Sequence, residues 1–253
     1  MKPILHFVQQ PRNMKDGSAA ALGPLVLVNR QHPLQSGFSL LLAPPDNSFP
    51  HIQMEIQAAR MLAACLQAVG ARGQIVPVSG WRSHKEQQAI WDDTLAQEGE
   101  DFTRNYVAYP GCSEHETGLA IDLAQAAETI DFIRPELPYD GIYGDFRRAA
   151  SRYGFVERYQ THKTAITGIA AEPWHFRYVG APHAQYMEAH DLCLEEYMAL
   201  LADHPLTWHL ETGRRVTVCR VTDLTALPST DGPRQISSDN LGGFVVTDWE
   251  VTP

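Results

Sequence analysis

Two short segments of this sequence contain the residues whose types and spacing could carry out chemistry. The first covers residues 113–122, reads Ser-Glu-His-Glu-Thr-Gly-Leu-Ala-Ile-Asp, and includes His115 and Asp122. Asp122 lies between Ile121 and Leu123 in a run that alternates like a strand. An unpaired charge buried there would cost several kcal/mol, so Asp122 requires a partner. That partner belongs either to a structural salt bridge or to a functional site.

The second segment covers residues 172–178 and reads Glu-Pro-Trp-His-Phe-Arg-Tyr. In a strand, His175 and Arg177 point to one face while the three aromatic residues point to the other. The aromatic face is typical of a hydrophobic core. Glu172 comes just before the strand, near enough to His175 to share a site. Taken alone, Glu172 fits a surface loop equally well.

The two segments together supply the side chains that a catalytic zinc site needs. Such a site uses three protein ligands, one open position for water, and a carboxylate beside that water. His115, Asp122 and His175 can be the three ligands, and Glu172 can be the base. Adjacent strands of one sheet would bring the two segments together. The helical His-Glu-x-x-His signature is absent, since Leu119 stands where its second histidine would be.

Three other kinds of site compete with a zinc hydrolase. Cys112 lies three residues before His115, but it sits in a Pro-Gly loop rather than at a helix N-terminus, where a catalytic cysteine is usual. A serine nucleophile at Ser113 lacks the Gly-x-Ser-x-Gly pattern. A non-catalytic zinc-binding module would keep the ligands and lose the base or a nearby cation.

The elements that must position these residues begin with a helix over 51–70, where apolar residues recur at three and four positions. A short strand follows over 74–79, and Pro77 indicates an edge strand or a strand end. Ser83 and Glu86 have the spacing of a capping box, so they predict a second helix from Ser83 to about Gln97.

The rest of the chain alternates between strands and helices, with less regular segments at both ends. Residues 1–50 predict a wrapping arm with one short strand over 25–28. The C-terminal part, residues 204–253, predicts a small β appendage to a main domain over 1–203. Further predictions are strands at 118–123 and 174–179, helices at 145–153 and 182–202, a mobile loop at 158–167, a hairpin of 206–210 with 216–221, and a last strand at 244–246.

Composition excludes some classes of partner. The 253 residues carry 20 Lys and Arg against 30 Asp and Glu, a net charge of −10, and binding a phosphate backbone needs clustered cations. No apolar run approaches the roughly 18 residues of a membrane span, and no signal peptide is recognisable, so we expect no membrane anchor. The 4 cysteines are scattered, which favours reduced thiols and a cytoplasmic location.

Three segments of the sequence resemble a known family. Residues 79–83 (Ser-Gly-Trp-Arg-Ser), residues 113–122 and residues 172–175 (Glu-Pro-Trp-His) are similar to the zinc D,D-peptidases of the M15 group, in particular the vancomycin-resistance VanY and VanXY enzymes. The strings at 131–135 and 154–159 strengthen the likeness. It covers about residues 20–190 and leaves 204–253 unmatched.

The resemblance implies an α+β fold in which a small antiparallel sheet, flanked by helices, carries the zinc site. It also implies hydrolysis of peptides that end in D-Ala-D-Ala. By position it assigns zinc binding to His115, Asp122 and His175, water activation to Glu172, oxyanion stabilisation to Arg82, and contact with the substrate's terminal carboxylate region to Ser113 and Gln87.

Within this group, the lack of an anchor favours the cytoplasmic VanXY type over the VanY type. VanXY enzymes cleave both the D-Ala-D-Ala dipeptide and longer D-Ala-terminated peptidoglycan precursors, in glycopeptide resistance. The polar loop predicted at 158–167 would then act as an adjustable wall that admits both substrate lengths. A single-activity D,D-carboxypeptidase of cell-wall metabolism is the alternative.

Overall fold

A computed structural model describes residues 23–35, 38–210 and 212–250. Its helices and small antiparallel sheets confirm the α+β class. The helices are α1 Ile56–Ala68, α2 His84–Glu98, α3 Glu100–Tyr106, α4 Gly141–Ala150, α5 Thr164–Thr167, α6 Ala181–Ala189 and α7 Leu194–Asp203. The strands are β1 Leu42–Ala43, β2 Met54–Glu55, β3 Ile75–Ser79, β4 Ala120–Gln125, β5 Phe155–Glu157, β6 His175–Tyr178, β7 Leu206–His209, β8 Arg215–Val221, β9 Arg234–Ser238 and β10 Phe244–Trp249.

The central sheet has the strand order β3-β4-β6-β5, with antiparallel neighbours throughout. β3 is an edge strand, as Pro77 predicts, and its register shifts between Pro77 and Ser79. The pairing of β4 with β6 sets Asp122 directly opposite His175. The two chemically suggestive segments are therefore neighbours in one sheet, as predicted.

The helices α1 and α2 each begin at a capping side chain. α1 begins at Ile56, later than the predicted position 51, because Glu55 caps it by accepting hydrogen bonds from the backbone of Gln57 and Ala58. The predicted capping box of α2 is confirmed: Ser83 Oγ accepts from Glu86 N at 3.2 Å and Glu86 Oε2 accepts from Ser83 N at 2.7 Å. Among the core residues between α1, α4 and the sheet are Leu62, Leu66, Ile121, Leu123, Phe146 and Phe176.

Three predicted elements differ from the structure. Residues 25–28 are buried but form no strand, because their backbone groups bond to loops and side chains instead: Leu27 N donates to Asp239 O at 3.1 Å. The helix predicted at 182–202 is two helices, α6 and α7, separated by a break in which Asp191 has φ 50°. The helix predicted at 145–153 begins earlier, at Gly141, and its last turn is a 3-10 turn.

The predicted mobile loop over 158–167 is wrong as well. It contains the 3-10 turn Thr161–Lys163 and the short helix α5. Arg158 is 2% exposed and forms ion pairs with Glu114 and Glu195. Polar residues predict a solvated loop. Here their charges form ion pairs with other parts of the protein, so the segment packs against the protein instead.

The C-terminal residues form a second sheet, with the order β7-β8-β10-β9. The hairpin of β7 and β8 is confirmed, β10 is longer than predicted, and β9 was not predicted. This sheet shares a hydrophobic core with α6, α7 and residues 25–27. The core residues include Leu25, Leu27, Met187, Leu194, Tyr197, Val216, Val218 and Val245. The division of the chain at residue 203 stays a prediction.

His183 lies where α6 meets the second sheet. It is buried, with 1% of its surface exposed. Its Nδ1 lies 2.8 Å from Tyr197 Oη and its Nε2 lies 3.1 Å from Thr247 Oγ1. The ring thus links α6 both to α7 and to β10.

No helix among residues 23–35, 38–210 and 212–250 has the length and apolar character that crossing a bilayer requires.

Candidate active site

Three buried side chains bring their donor atoms together at one end of the central sheet. His115 lies on the 3-10 turn Glu114–Thr117, Asp122 on β4 and His175 on β6. One ligand atom from each lies within 4.8 Å of the other two. His115 Nε2 is 3.2 Å from Asp122 Oδ2, and His175 Nδ1 is 3.0 Å from Asp122 Oδ1. The structure thus brings together the three predicted ligands.

Hydrogen bonds on the far side of each ring fix the orientation of both imidazoles. His115 Nδ1 lies 2.7 Å from the carbonyl oxygen of Gly80, so it carries the proton and leaves Nε2 as a lone-pair donor. His175 Nε2 lies 3.2 Å from Glu114 Oε2, so a neutral ring with its proton on Nε2 leaves Nδ1 facing Asp122. Neutral rings with their protons in these places direct their lone pairs toward Asp122.

Burial and neighbouring charges shift the pKa values of all three side chains. Burial, together with the charge of Arg82, lowers the pKa of His115 to about 4. Burial also disfavours a charged His175, but its hydrogen bonds to Asp122 and Glu114 outweigh this and raise its pKa to about 9. The two histidines hold the pKa of the Asp122 carboxyl well below its usual range despite burial. Asp122 is thus a carboxylate at neutral pH.

These residues fit a zinc ion. Two imidazoles and one carboxylate are a donor set that zinc accepts, and three protein ligands leave a position for water. The far-side bonds of His115 to Gly80 and of His175 to Glu114 are of the kind that orient metal-binding histidines. His115, Asp122 and His175 would hold the metal.

Glu172 lies beside the donor atoms, in the turn that leads into β6. Its Oε2 is 3.8 Å from His175 Nδ1, and its backbone NH donates to the carbonyl of Tyr159 at 2.9 Å. The Tyr159 ring stacks on His175 with centroids 5.3 Å apart. Burial raises the pKa of the Glu172 carboxyl to about 8. A carboxylate with a raised pKa next to a water position is suited to accept a proton.

Arg82 is fixed beside the same atoms by hydrogen bonds, and its Nη2 also lies 3.3 Å from His115 Nε2. Its Nε donates to Ser79 Oγ at 2.8 Å, its Nη1 to Gln87 Oε1 at 3.2 Å and its Nη2 to Asp122 Oδ2 at 2.9 Å. The side chain is 14% exposed, and it lines the cleft. The guanidinium therefore presents a fixed positive charge to whatever enters the cleft.

The two residues predicted to contact the substrate's carboxylate region lie at different depths. Ser113 is buried and lines the cleft. Gln87 is fully buried, and its amide is engaged at both ends, since Nε2 donates to Ala108 O at 2.8 Å and Oε1 accepts from Arg82. Gln87 thus lies behind Arg82. Contact of either residue with a substrate stays a prediction.

Apolar side chains form much of the remaining wall of the cleft. They include Ile90, Tyr106, Val107, Phe132, Ile133, Ile169 and Trp174. The turn that carries Phe132 is held by Asp131, whose Oδ1 accepts from Ile133 N and Arg134 N. The Arg134 guanidinium also lies over the rings of Phe102 and Tyr106 in α3. The cleft therefore has apolar side chains beside its charged groups.

Comparison with known proteins identifies the family. Residues 51–181 match the family model described as VanY, D-alanyl-D-alanine carboxypeptidase. The chain belongs to this family. It is 40% identical over 185 residues to the bifunctional D-Ala-D-Ala dipeptidase and D-Ala-D-Ala carboxypeptidase VanXYC of Enterococcus gallinarum. That alignment covers 72% of this chain and 96% of the relative.

Two solved structures extend the likeness to the fold. The vancomycin-resistance D,D-dipeptidase VanXYg, in complex with a D-Ala-D-Ala phosphinate analogue, matches with a TM-score of 0.85 and 45% identity, over 90% of this chain and 94% of that one. A mutant of the D,D-pentapeptidase VanY from the VanB-type resistance cassette, in complex with Zn(II), matches with a TM-score of 0.57 and 31% identity. This second match covers 69% of the present chain and 98% of the other.

In this VanY-family site, sequence reasoning missed four buried residues. They are Glu114, Tyr159, Arg158 and Arg177. One signal was available: Arg177 alternates onto the same strand face as His175, and a buried arginine requires a carboxylate. Glu114 adjoins His115 and is that carboxylate. Arg158 gave no comparable signal, since its segment reads as a polar loop.

The geometry disfavours a cysteine nucleophile in this VanY-family chain. Cys112 is 9% exposed, and burial raises the pKa of its thiol. A reactive cysteine needs the opposite shift, because the thiolate is the nucleophile.

Proposed function

We propose that this chain is a zinc D,D-peptidase that acts on both the dipeptide D-Ala-D-Ala and peptidoglycan precursors that end in it, as part of vancomycin resistance. The convergence of His115, Asp122 and His175 with Glu172 and Arg82 in one cleft carries the proposal. The chemistry supplied by bound zinc would be polarisation of a carbonyl group and acidification of a water molecule to a pKa of about 7.

The protein's own groups would move the protons. Glu172 takes a proton from the attacking water as the water oxygen bonds to the carbonyl carbon of the penultimate D-Ala. It then passes that proton to the amine nitrogen of the terminal D-Ala as the C–N bond breaks. Arg82 donates hydrogen bonds to the carbonyl oxygen as negative charge develops there. One such donor contributes a factor of about 100–1000 in rate.

Support for the dual activity comes from the relatives rather than from a mobile wall. The segment predicted as an adjustable loop is pinned by two ion pairs, Arg158 with Glu195 and Lys163 with Glu196, each at 2.9 Å. Phe132, which is 45% exposed, also lines the cleft. The bifunctional VanXYC aligns over nearly its whole length with this chain, so we propose the same pair of substrates here.

Steady-state kinetics on both substrate lengths tests the proposal. We expect release of D-Ala from D-Ala-D-Ala and from the pentapeptide precursor, no hydrolysis of L-Ala-L-Ala, and loss of both activities with a zinc chelator. A preference for the pentapeptide above about 10⁴ in kcat/KM, about 5.5 kcal/mol, would support the alternative of a single-activity carboxypeptidase. Stoichiometric zinc without any hydrolysis would support a non-catalytic module.

We also propose that the enzyme works in the cytoplasm. All four cysteines (Cys65, Cys112, Cys193 and Cys219) are free thiols, and three of them are buried. Free thiols are usual where the environment is reducing. Thiol titration of the freshly purified, denatured and unreduced protein should find four thiols per chain. Disulfides in that titration would instead place the protein outside the cytoplasm.

A further inference from the structure

A buried ion-pair cluster meets His175 at Nε2, the ring nitrogen that does not face Asp122. Glu114 is its centre and is 1% exposed. Its Oε1 accepts from Arg177 Nη1 at 2.8 Å and lies 3.3 Å from Arg158 Nε, while its Oε2 lies 3.2 Å from His175 Nε2. Burying a carboxylate this deeply is costly unless it is paired. The two arginines supply that pairing, which leaves Oε2 to face the imidazole.

Distant parts of the chain hold both arginines in place. Arg158 donates two hydrogen bonds of 2.9 Å to the carboxylate of Glu195, in α7. Arg177 donates from Nη2 to the carbonyl oxygens of Pro24 at 3.1 Å and Val26 at 2.7 Å. Residues 24–26 and α7 therefore hold the two arginines that neutralise the Glu114 carboxylate.

We propose that Glu114 is a positioning residue that orients the His175 ring so that Nδ1 faces the metal position. A neutral imidazole has one NH and one lone pair, so a strong acceptor at Nε2 selects the tautomer whose lone pair is on Nδ1. Glu114 also directly precedes His115 on the same 3-10 turn. One turn therefore supplies a metal ligand and the group that orients a second ligand.

This inference rests on the proposed zinc site, and zinc affinity tests it directly. We expect Glu114→Gln to weaken Zn(II) binding about 10–100-fold in competition with a chromophoric chelator. The visible spectrum of the Co(II)-substituted protein should change as well, because it reports the geometry of the ligands. Activity is not the readout, so a failure of the proposed hydrolysis would leave this test intact.

Glu195→Gln is the matched control. Each of the two substitutions removes a carboxylate partner of Arg158, so both should lower the melting temperature. Glu195→Gln leaves the contact between Glu114 and His175 in place, so its Zn(II) affinity should stay within about threefold of the wild type, far from the loss expected for a metal-orienting group. Equal weakening by both variants, or by neither, would overturn the proposal.

A measurement on the unaltered protein covers the case in which Glu114→Gln fails to fold. In the zinc-loaded wild type, ¹⁵N-detected NMR of the histidine rings should find the His175 proton on Nε2, in slow exchange with water. A proton on Nδ1 would overturn the proposal. Absence of zinc from the wild type would instead count against the proposed function.

Discussion

Asp122 and His175 are direct partners across the antiparallel strands β4 and β6, and their side chains meet at 3.0 Å between Oδ1 and Nδ1. Side chains opposite each other in an antiparallel pair have Cβ atoms about 5 Å apart. The backbone register of the sheet thus sets the spacing of two proposed zinc ligands. His115 completes the set from a separate turn, so the site depends on two strands and one loop.

Removal of one ligand should abolish metal binding. We expect the purified protein to contain one zinc per chain and His115→Ala to contain almost none, because two remaining ligands cannot complete the site. The control is His84→Ala, whose side chain is 68% exposed and contacts Glu116; it should keep its zinc. Elemental analysis measures both. Full zinc occupancy in His115→Ala would remove this residue from the ligand set.

Replacement of the proposed base should separate binding from turnover. Glu172→Gln keeps the shape of the side chain but cannot take a proton, so we expect kcat to fall about 10²–10⁴-fold. Zinc content and melting temperature should stay close to those of the wild type. If kcat remained near normal, another group would have to accept the proton.

Loss of Arg82 should act mainly on kcat. We expect Arg82→Ala to lower kcat about 100–1000-fold with a smaller rise in KM, because its charge meets negative charge that develops in the transition state. Zinc content must be measured in parallel, since Arg82 Nη2 also bonds to Asp122. An effect confined to KM would make Arg82 a clamp for the bound substrate instead.

Substitution of the buried Gln87 tests the role of the Arg82 guanidinium indirectly. Its Oε1 accepts from Arg82 Nη1, so Gln87→Leu should loosen Arg82. We expect kcat to fall more than KM rises, in the same direction as for Arg82→Ala but by a smaller factor. A change in KM alone would favour the direct substrate contact that the family resemblance implies for Gln87.

Acid should destabilise the protein through His183. Burial lowers the pKa of His183 to about 3, whereas the unfolded chain takes up this proton near pH 6.5. Below about pH 6.5 the unfolded state binds more protons than the native state, so the free energy of unfolding falls as the pH drops. This contribution is complete above pH 6.5 and is lost progressively towards pH 3.

Urea denaturation at two pH values measures this effect. Between pH 7 and pH 5 the wild type should lose about 2 kcal/mol more than His183→Gln, which has no imidazole to protonate. The exposed His190, at the C-terminal end of α6, provides the control: His190→Gln should follow the wild type. Parallel pH dependences of the wild type and His183→Gln would contradict a buried, neutral His183.

Local sequence determined the parts of the site that depend on neighbours in the chain. The capping of α2 by Ser83 and Glu86 needs only residues three positions apart, and the structure confirms it. The alternation around Asp122 predicted a strand for the same reason. The ligand types could also be read directly, since histidine and carboxylate side chains surrounded by apolar residues require partners.

Tertiary structure alone decided what surrounds those ligands. Glu114 meets His175 across 61 positions of the chain, and Arg177 reaches the carbonyl of Val26 across 151. The polar segment around Arg158 reads as a solvated loop, because its partner Glu195 lies 37 positions away. The spacing of apolar and polar residues along the sequence depends only on near neighbours. The pairing of buried charges depends instead on which distant segments the fold brings into contact.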